Sequence, residues 1–330
     1  MMKPNVYITR LIPDEGLKLI LASCDVEIWL QNKAIPRDVL LDKVRGLDGL
    51  VSLLSDRIDA EVMDAAGSQL KVISNYAVGI DNIDIAAANE RGIVVGNTPD
   101  VLTETTADLA FALMMAAARR LVEGADFVKA DKWMSWGPKL LLGLDIHHTT
   151  LGIIGMGRIG RAMARRAQGF DMNILYFDAQ TQPLEISGAR RVNELDNLLI
   201  ESDYVSLHLP LTPETFHLID AEALKKMKRT AILINTARGQ VIDADALYGA
   251  LRDGEIAYAA LDVTDPEPMR SNHRLLKLPN CIVVPHIGST SVTTRSRMSE
   301  MAAENLLAGL RGQAPPHPVN PEALNNRKNK

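Results

Sequence analysis

Short apolar runs separated by amphipathic stretches set the rhythm of the first hundred residues. Residues 6–9, 26–30, 50–54 and 72–74 are rich in β-branched and aliphatic side chains and predict strands. Pro13 and Pro36 open the helical stretches between them, where a missing N–H costs little. Gly92 closes a helix over 84–91 ahead of a further strand, 93–95. Alternation of this kind predicts a parallel sheet covered by helices on both faces. The pattern then changes. Residues 103–120 are helical by composition and apolar nearly all round from Ala107 to Ala118. Burial on all sides is therefore expected, by its own domain or by a second subunit. A looser stretch with Trp133, Trp136, Gly137, Pro138 and Gly143 reads as loop or linker. From Thr150 the alternation resumes, with strands at 151–154, 173–177, 204–207, 231–234, 257–261 and 282–284. A last helix is expected over 292–310, and residues 325–330 read as a frayed polar tail.

At 330 residues the chain is long enough for two domains, given ~150 residues per domain. A composition of 47% hydrophobic residues supplies two cores, and a net charge of −5 argues against a broad grip on nucleic acid or an anionic membrane. Cys24 and Cys281 make neither a disulfide framework nor a CxxC pair. The most apolar run, 107–118, is too short to cross a bilayer, and the N-terminus runs into the first strand without a signal-peptide pattern. The expectation is a cytoplasmic protein with neither nucleic-acid nor membrane partners.

The sharpest local signal lies at 151–164, where Gly155-Met156-Gly157-Arg158-Ile159-Gly160 follows a strand and opens a helix. A GxGxxG pattern carries meaning in that setting. Gly155 permits the tight turn, Gly157 lets a pyrophosphate approach the backbone, and Gly160 lets helix and strand pack closely. The N–H groups of Arg158 and Ile159 then lie at a helix N-terminus, which attracts phosphate. Asp178 closes the next strand 18 residues beyond Gly160, near the spacing of an acid that binds the ribose hydroxyls. A carboxylate there repels a 2′-phosphate, and residues 179–183 offer no arginine to receive one. NAD is favoured, with NADH preferred over NADPH.

Three later segments put polar residues just beyond predicted strands: Asn235-Thr236-Ala237-Arg238-Gly239, Asp262 through Pro268, and Pro285-His286-Ile287-Gly288-Ser289. With these motifs in this order, nearly the whole chain resembles the D-isomer-specific 2-hydroxyacid dehydrogenase family, and within it the glyoxylate/hydroxypyruvate reductases. The resemblance implies a catalytic Arg238, Glu267 and His286. Chemistry supports those types: hydride arriving at a keto carbon leaves charge on oxygen, which needs a proton and a nearby cation. His286 would supply the proton, Glu267 would orient the ring and favour imidazolium, and Arg238 would engage both carboxylate and developing alkoxide.

The resemblance also implies a substrate loop at Asn75–Asn82, with Val78 and Gly79 N–H groups taking the carboxylate and Leu53 walling the pocket. Further cofactor contacts carried over are Thr106, Pro210, Thr215, Thr236, Ala237, Asp262 (toward the nicotinamide carboxamide) and Gly288. Trp136 fits an aromatic that reaches a neighbouring subunit's site, or else an anchor of a homodimer interface. His208 is expected to pack structurally, and His147-His148 lacks spaced acidic partners, so no metal site is expected.

Relatives acting on phosphorylated or unusual substrates depart from this pattern. Phosphoglycerate dehydrogenases resemble the chain but carry Arg where Asn75 stands; phosphite dehydrogenases carry Lys at the position of Ala77; formate dehydrogenases pair Gln with the histidine, where this chain has Glu267. A small, unphosphorylated 2-keto acid, glyoxylate or hydroxypyruvate, is the expected substrate. Alternatives are a D-3-phosphoglycerate dehydrogenase-like enzyme and a cofactor-sensing, corepressor-like binding protein. The expected architecture is α/β: a Rossmann-type domain at 101–287 inserted into a smaller flavodoxin-like substrate domain made of 1–100 and 288–330.

Overall fold

The computed structural model describes residues 3–179 and 188–328. Two compact units emerge, Met1–Leu102 with Thr290–Lys330, and Thr103–Ser289. The crossings fall about two residues beyond those expected from the motifs.

The first unit runs β1 (Asn5–Ile8), α1 (Asp14–Ser23), β2 (Asp25–Ile28), α2 (Arg37–Lys43), β3 (Gly49–Ser52), α3 (Ala60–Ala66), β4 (Val72–Asn75), α4 (Ile85–Arg91) and β5 (Val94–Gly96). Its five strands are parallel in the order β2-β1-β3-β4-β5, the flavodoxin-like arrangement. Pro13 and Pro36 stand at the N-caps of α1 and α2, while Asp59 and Asp84 cap α3 and α4 through side-chain carboxylates.

The second unit begins with α5 (Thr103–Ala118) and α6 (Leu121–Lys129). It continues with β6 (Thr150–Ile154), α7 (Arg158–Gln168), β7 (Asn173–Phe177), β8 (Ala189–Arg191), α8 (Leu195–Glu201), β9 (Tyr204–Leu207) and α9 (Ala221–Lys226). Then come β10 (Ile232–Asn235), α10 (Ala244–Asp253), β11 (Tyr258–Leu261) and β12 (Cys281–Val283). All seven strands are parallel, ordered β12-β11-β10-β9-β6-β7-β8. Strand order reverses between β6 and β9, the switch point where a doubly wound sheet binds its ligand beyond the strand ends. The chain then returns to the first unit as α11 (Val292–Leu310), whose Met298, Ala302, Ala303 and Leu306 pack with Val6, Val51 and Val72, and ends in α12 (Ala323–Lys328). The fold is a Rossmann-type unit inserted in a flavodoxin-like one.

Within the single chain α5 is covered in part: Ala112 is exposed and Leu109, Met115 and Ala116 are half-buried. Two expectations need correcting. The stretch after α5 is not all linker, since α6 forms there without burying any residue. The terminal tail is not frayed at its start. Residues 325–328 belong to α12, held by fully buried Ala323 and by Asn326, whose amide donates to the Asn89 carbonyl at 2.9 Å. Residues 329 and 330 lie outside the described residues.

Candidate active site

At the end of β6, Gly155 turns the chain at φ +91°, and a Cβ there would lie 2.6 Å from the His208 carbonyl oxygen. Only glycine meets both demands. Gly160 packs so tightly that a Cβ would sit 2.2 Å from the Gly155 oxygen, which fastens α7 to its strand. Gly157, by contrast, caps α7 with nothing within 4 Å of an added Cβ, so open space fronts the helix N-terminus at Arg158 and Ile159. Asp178 follows β7, half-buried, and accepts the Met156 N–H at 2.6 Å, so the acid and the glycine turn are bonded together. Arg191 of β8 donates to the Asp178 carbonyl at 3.2 Å. The stretch 179–183 is described only at Ala179; residues 180–183 lie outside the described residues.

Along the same strand-end edge, Thr215 donates to the Pro210 carbonyl at 2.7 Å and accepts the Thr212 N–H at 2.7 Å, so Pro210 and Thr215 close one loop. The His208 ring lies 2.8 Å from the Ser206 hydroxyl, and burial pushes its pKa down to about 4. His208 is thus a neutral packing residue at neutral pH. Beyond β10, Ala237 donates to the Asn235 side chain at 2.9 Å, while the buried Thr236 hydroxyl finds no hydrogen-bond partner among the described residues. A buried orphan hydroxyl calls for an outside partner. With the open space at Gly157 and the acid after β7, it fits a dinucleotide lying along the strand ends.

The chemistry-bearing side chains gather beyond β10, β11 and β12. Half-buried Arg238 has its backbone held by the Asn235 amide at 2.8 Å, and its guanidinium donates to the Ala237 carbonyl at 2.8 Å. Glu267 and His286 meet at 2.6 Å, Oε1 to Nδ1. Burial pushes the Glu267 carboxyl up. The His286 hydrogen bond, the charges of His286 and Arg238, and the Thr264 N–H outweigh it, so the carboxyl ends below its ordinary value. His286 adopts φ +53°, a conformation that side-chain-bearing residues rarely take. It is held there by Asp262, whose carbonyl accepts the His286 N–H at 2.9 Å. The Asp262 carboxylate accepts the N–H groups of Ile287 at 2.6 Å and Gly288 at 2.8 Å. Asp262 is 2% exposed, and burial raises its carboxyl against the pull of those donors. A Cβ on Gly288 would stand 3.0 Å from Asp262 Oδ2 and 3.3 Å from Thr106, so Thr106, Asp262 and Gly288 converge. Sequence reasoning gave Asp262 to the cofactor alone; its clamp on the histidine loop went unseen.

In the first unit, Leu53 follows β3, and Val78 and Gly79 follow β4, all half-buried. Neither the Val78 nor the Gly79 N–H has an intramolecular acceptor among the described residues. Trp136 is 81% exposed on the segment after α6. No group of three or more His, Cys, Asp or Glu capable of holding a metal occurs among the described residues.

A family model for the D-isomer specific 2-hydroxyacid dehydrogenase, NAD binding domain, matches residues 111–288. The chain belongs to the D-isomer-specific 2-hydroxyacid dehydrogenase family. A glyoxylate reductase of Korarchaeum cryptofilum is 52% identical to this dehydrogenase over 325 residues, 98% of either chain. A solved protein of Thermus thermophilus shares 51% identity at a TM-score of 0.90, covering 96% of this chain and 99% of that one. An NADPH-dependent glyoxylate/hydroxypyruvate reductase of Sinorhizobium meliloti, solved with NADP and malonate, shares 31% identity at a TM-score of 0.84, covering 97% and 98%. The 2-hydroxyacid dehydrogenase is thus an oxidoreductase with a nicotinamide-dinucleotide-binding domain, and its glycine turn, Asp178, Arg238, Glu267 and His286 all lie in that domain.

Proposed function

We propose that this dehydrogenase reduces glyoxylate to glycolate, and hydroxypyruvate to D-glycerate, using NADH. The observation that carries the reading is the 2.6 Å Glu267–His286 pair beside the charge of Arg238. Gly155–Gly160 and Asp178 would hold NADH, which would supply the hydride. With Nδ1 engaged by Glu267, His286 keeps Nε2 to deliver a proton to the ketone oxygen. Arg238 stabilises the negative charge developing on that oxygen and engages the substrate carboxylate. Val78 and Gly79 offer N–H groups to the carboxylate, and Leu53 walls the substrate. Thr106, Thr236, Ala237, Asp262 and Gly288 bound the nicotinamide end, and Pro210 and Thr215 the adenine side. The domain roles follow: the inserted unit holds cofactor, the discontinuous unit holds substrate.

Asn75, where a phosphate-binding arginine would stand, is fully buried and bonded to Ser52, Gly79 and Asn82, which supports an unphosphorylated substrate. The Asp178 carboxylate supports NADH over NADPH by repelling a 2′-phosphate. Eight large apolar residues between Leu121 and Leu142, Trp133, Met134 and Trp136 among them, are exposed in the single chain. Together with the open face of α5 they support a homodimer built on this segment, with Trp136 its anchor or a contributor to the neighbouring site. No helix among the described residues is long and apolar enough to cross a membrane, and we place the reaction in the cytoplasm.

The test is NADH and NADPH oxidation with glyoxylate, hydroxypyruvate, pyruvate and phosphohydroxypyruvate. The expected result is turnover on the first two with NADH ahead of NADPH. Preference for phosphohydroxypyruvate would mark a phosphoglycerate dehydrogenase-like enzyme. NADH binding without consumption of any keto acid would mark a cofactor-sensing binding protein.

A further inference from the structure

Two loops of the first unit, the turn after β3 and the loop after β4, are tied together by a pair of side-chain amides. The Asn82 amide donates to carbonyls of the turn, Leu53 at 3.0 Å and Asp56 at 3.0 Å, with a longer contact to the Asn75 side-chain oxygen at 3.3 Å. Its Oδ1 accepts from the Asn75 amide at 3.1 Å, and that amide also donates to the Gly79 carbonyl at 2.9 Å. Leu53 is gripped from its other side by Asp56, whose buried carboxylate accepts the Leu53 N–H at 2.8 Å. The backbone joins the two segments further along, where the Asn82 carbonyl accepts the Ile58 N–H at 2.8 Å and the Ile58 carbonyl accepts the Asp84 N–H at 2.9 Å. Nearer the strand ends, Leu53, Asp56 and Gly79 are tied across by these amides.

We propose that Asn82 is a positioning residue for the carboxylate end of the substrate. It acts through Leu53 and, by way of Asn75, through Gly79. The chemistry of the position demands an amide, because only two donors and one acceptor on a short stem satisfy all three partners. The inference rests on the reading of Val78, Gly79 and Leu53 as substrate residues.

Asn82→Asp keeps the shape and removes both donors, setting a carboxylate against two carbonyl oxygens. The expected result is a rise of about tenfold in KM for glyoxylate and for hydroxypyruvate alike, since both carry the carboxylate. Alongside it, kcat should stay within about threefold and NADH affinity, read by fluorescence titration, should not move. A role in scaffolding alone lowers the thermal midpoint and the active fraction, hence kcat, and leaves KM in place. Unchanged KM in the folded variant overturns the proposal. If Asn82→Asp fails to fold, Asn82→Ser, which shortens the reach without adding charge, decides the matter by the same two constants. If wild-type protein fails to oxidise NADH with either keto acid, the substrate reading itself falls. Wild-type turnover with an unmoved KM in the variant removes only Asn82.

Discussion

His286 and Gly79 sit alike, each in a loop just past the C-terminal end of a parallel strand, yet the two loops are secured by opposite means. Around His286 the backbone is the clamp's target: three consecutive N–H groups, from His286 to Gly288, close on Asp262, and on the proposed reading the imidazole does the chemistry. Around Gly79 the side chains are the clamp, and on the proposed reading the backbone N–H groups receive the substrate carboxylate. A side-chain site specifies which atoms react, and a backbone site specifies where a carboxylate rests. Damage to the first should therefore appear in kcat, and damage to the second in KM.

The largest effect that sharpens this contrast is expected of Glu267→Gln. The amide keeps the hydrogen bond but loses the charge beside the imidazole, and kcat should fall by about a hundredfold, within the range of acid–base contributions. NADH affinity should hold; a change confined to KM would erase the contrast. Asp262→Asn comes next. An amide replaces one of the two oxygens that receive N–H groups, the left-handed turn at His286 loosens, and kcat should fall by about tenfold. Unchanged turnover would show that the clamp is dispensable. The smallest effect concerns stability. The folded Glu267 carboxyl lies below its ordinary value, so its pairing stabilises the fold above the usual Glu range and is lost as pH falls through the lowered value. Since the pair is a third exposed, it contributes about 1 kcal/mol or less, a shift of about two degrees in thermal midpoint. Wild type should exceed Glu267→Gln by that margin at neutral pH and lose it in acid. A margin constant with pH would contradict the pairing.

The same contrast explains what the sequence disclosed. The glycine turn was legible because Gly155 and Gly160 answer steric demands that no other residue meets. Arg238, Glu267 and His286 were picked out by the resemblance of their three motifs, and the structure brings Glu267 and His286 within 2.6 Å. Asn82 was not picked out, since its work is to hold carbonyls that any residue could supply. Helix α6 escaped because its apolar residues, Leu121, Val122 and Val128, are exposed and leave no core-facing stripe to read. Strand β8 is three residues, Ala189–Arg191, two of them arginine, with no alternation to mark it. The near-continuous apolar surface of α5 called for cover by its own domain or by a second subunit, and the chain by itself covers part of it.

On the proposed reading, His286, held by Glu267, delivers the proton in keto-acid reduction. That role is tested most directly by glyoxylate-dependent NADH oxidation in His286→Ala, with NADH affinity titrated on the same preparation. The expected result is a loss of about a thousandfold in kcat at neutral pH with cofactor affinity unmoved. Turnover near the wild-type rate would contradict that role.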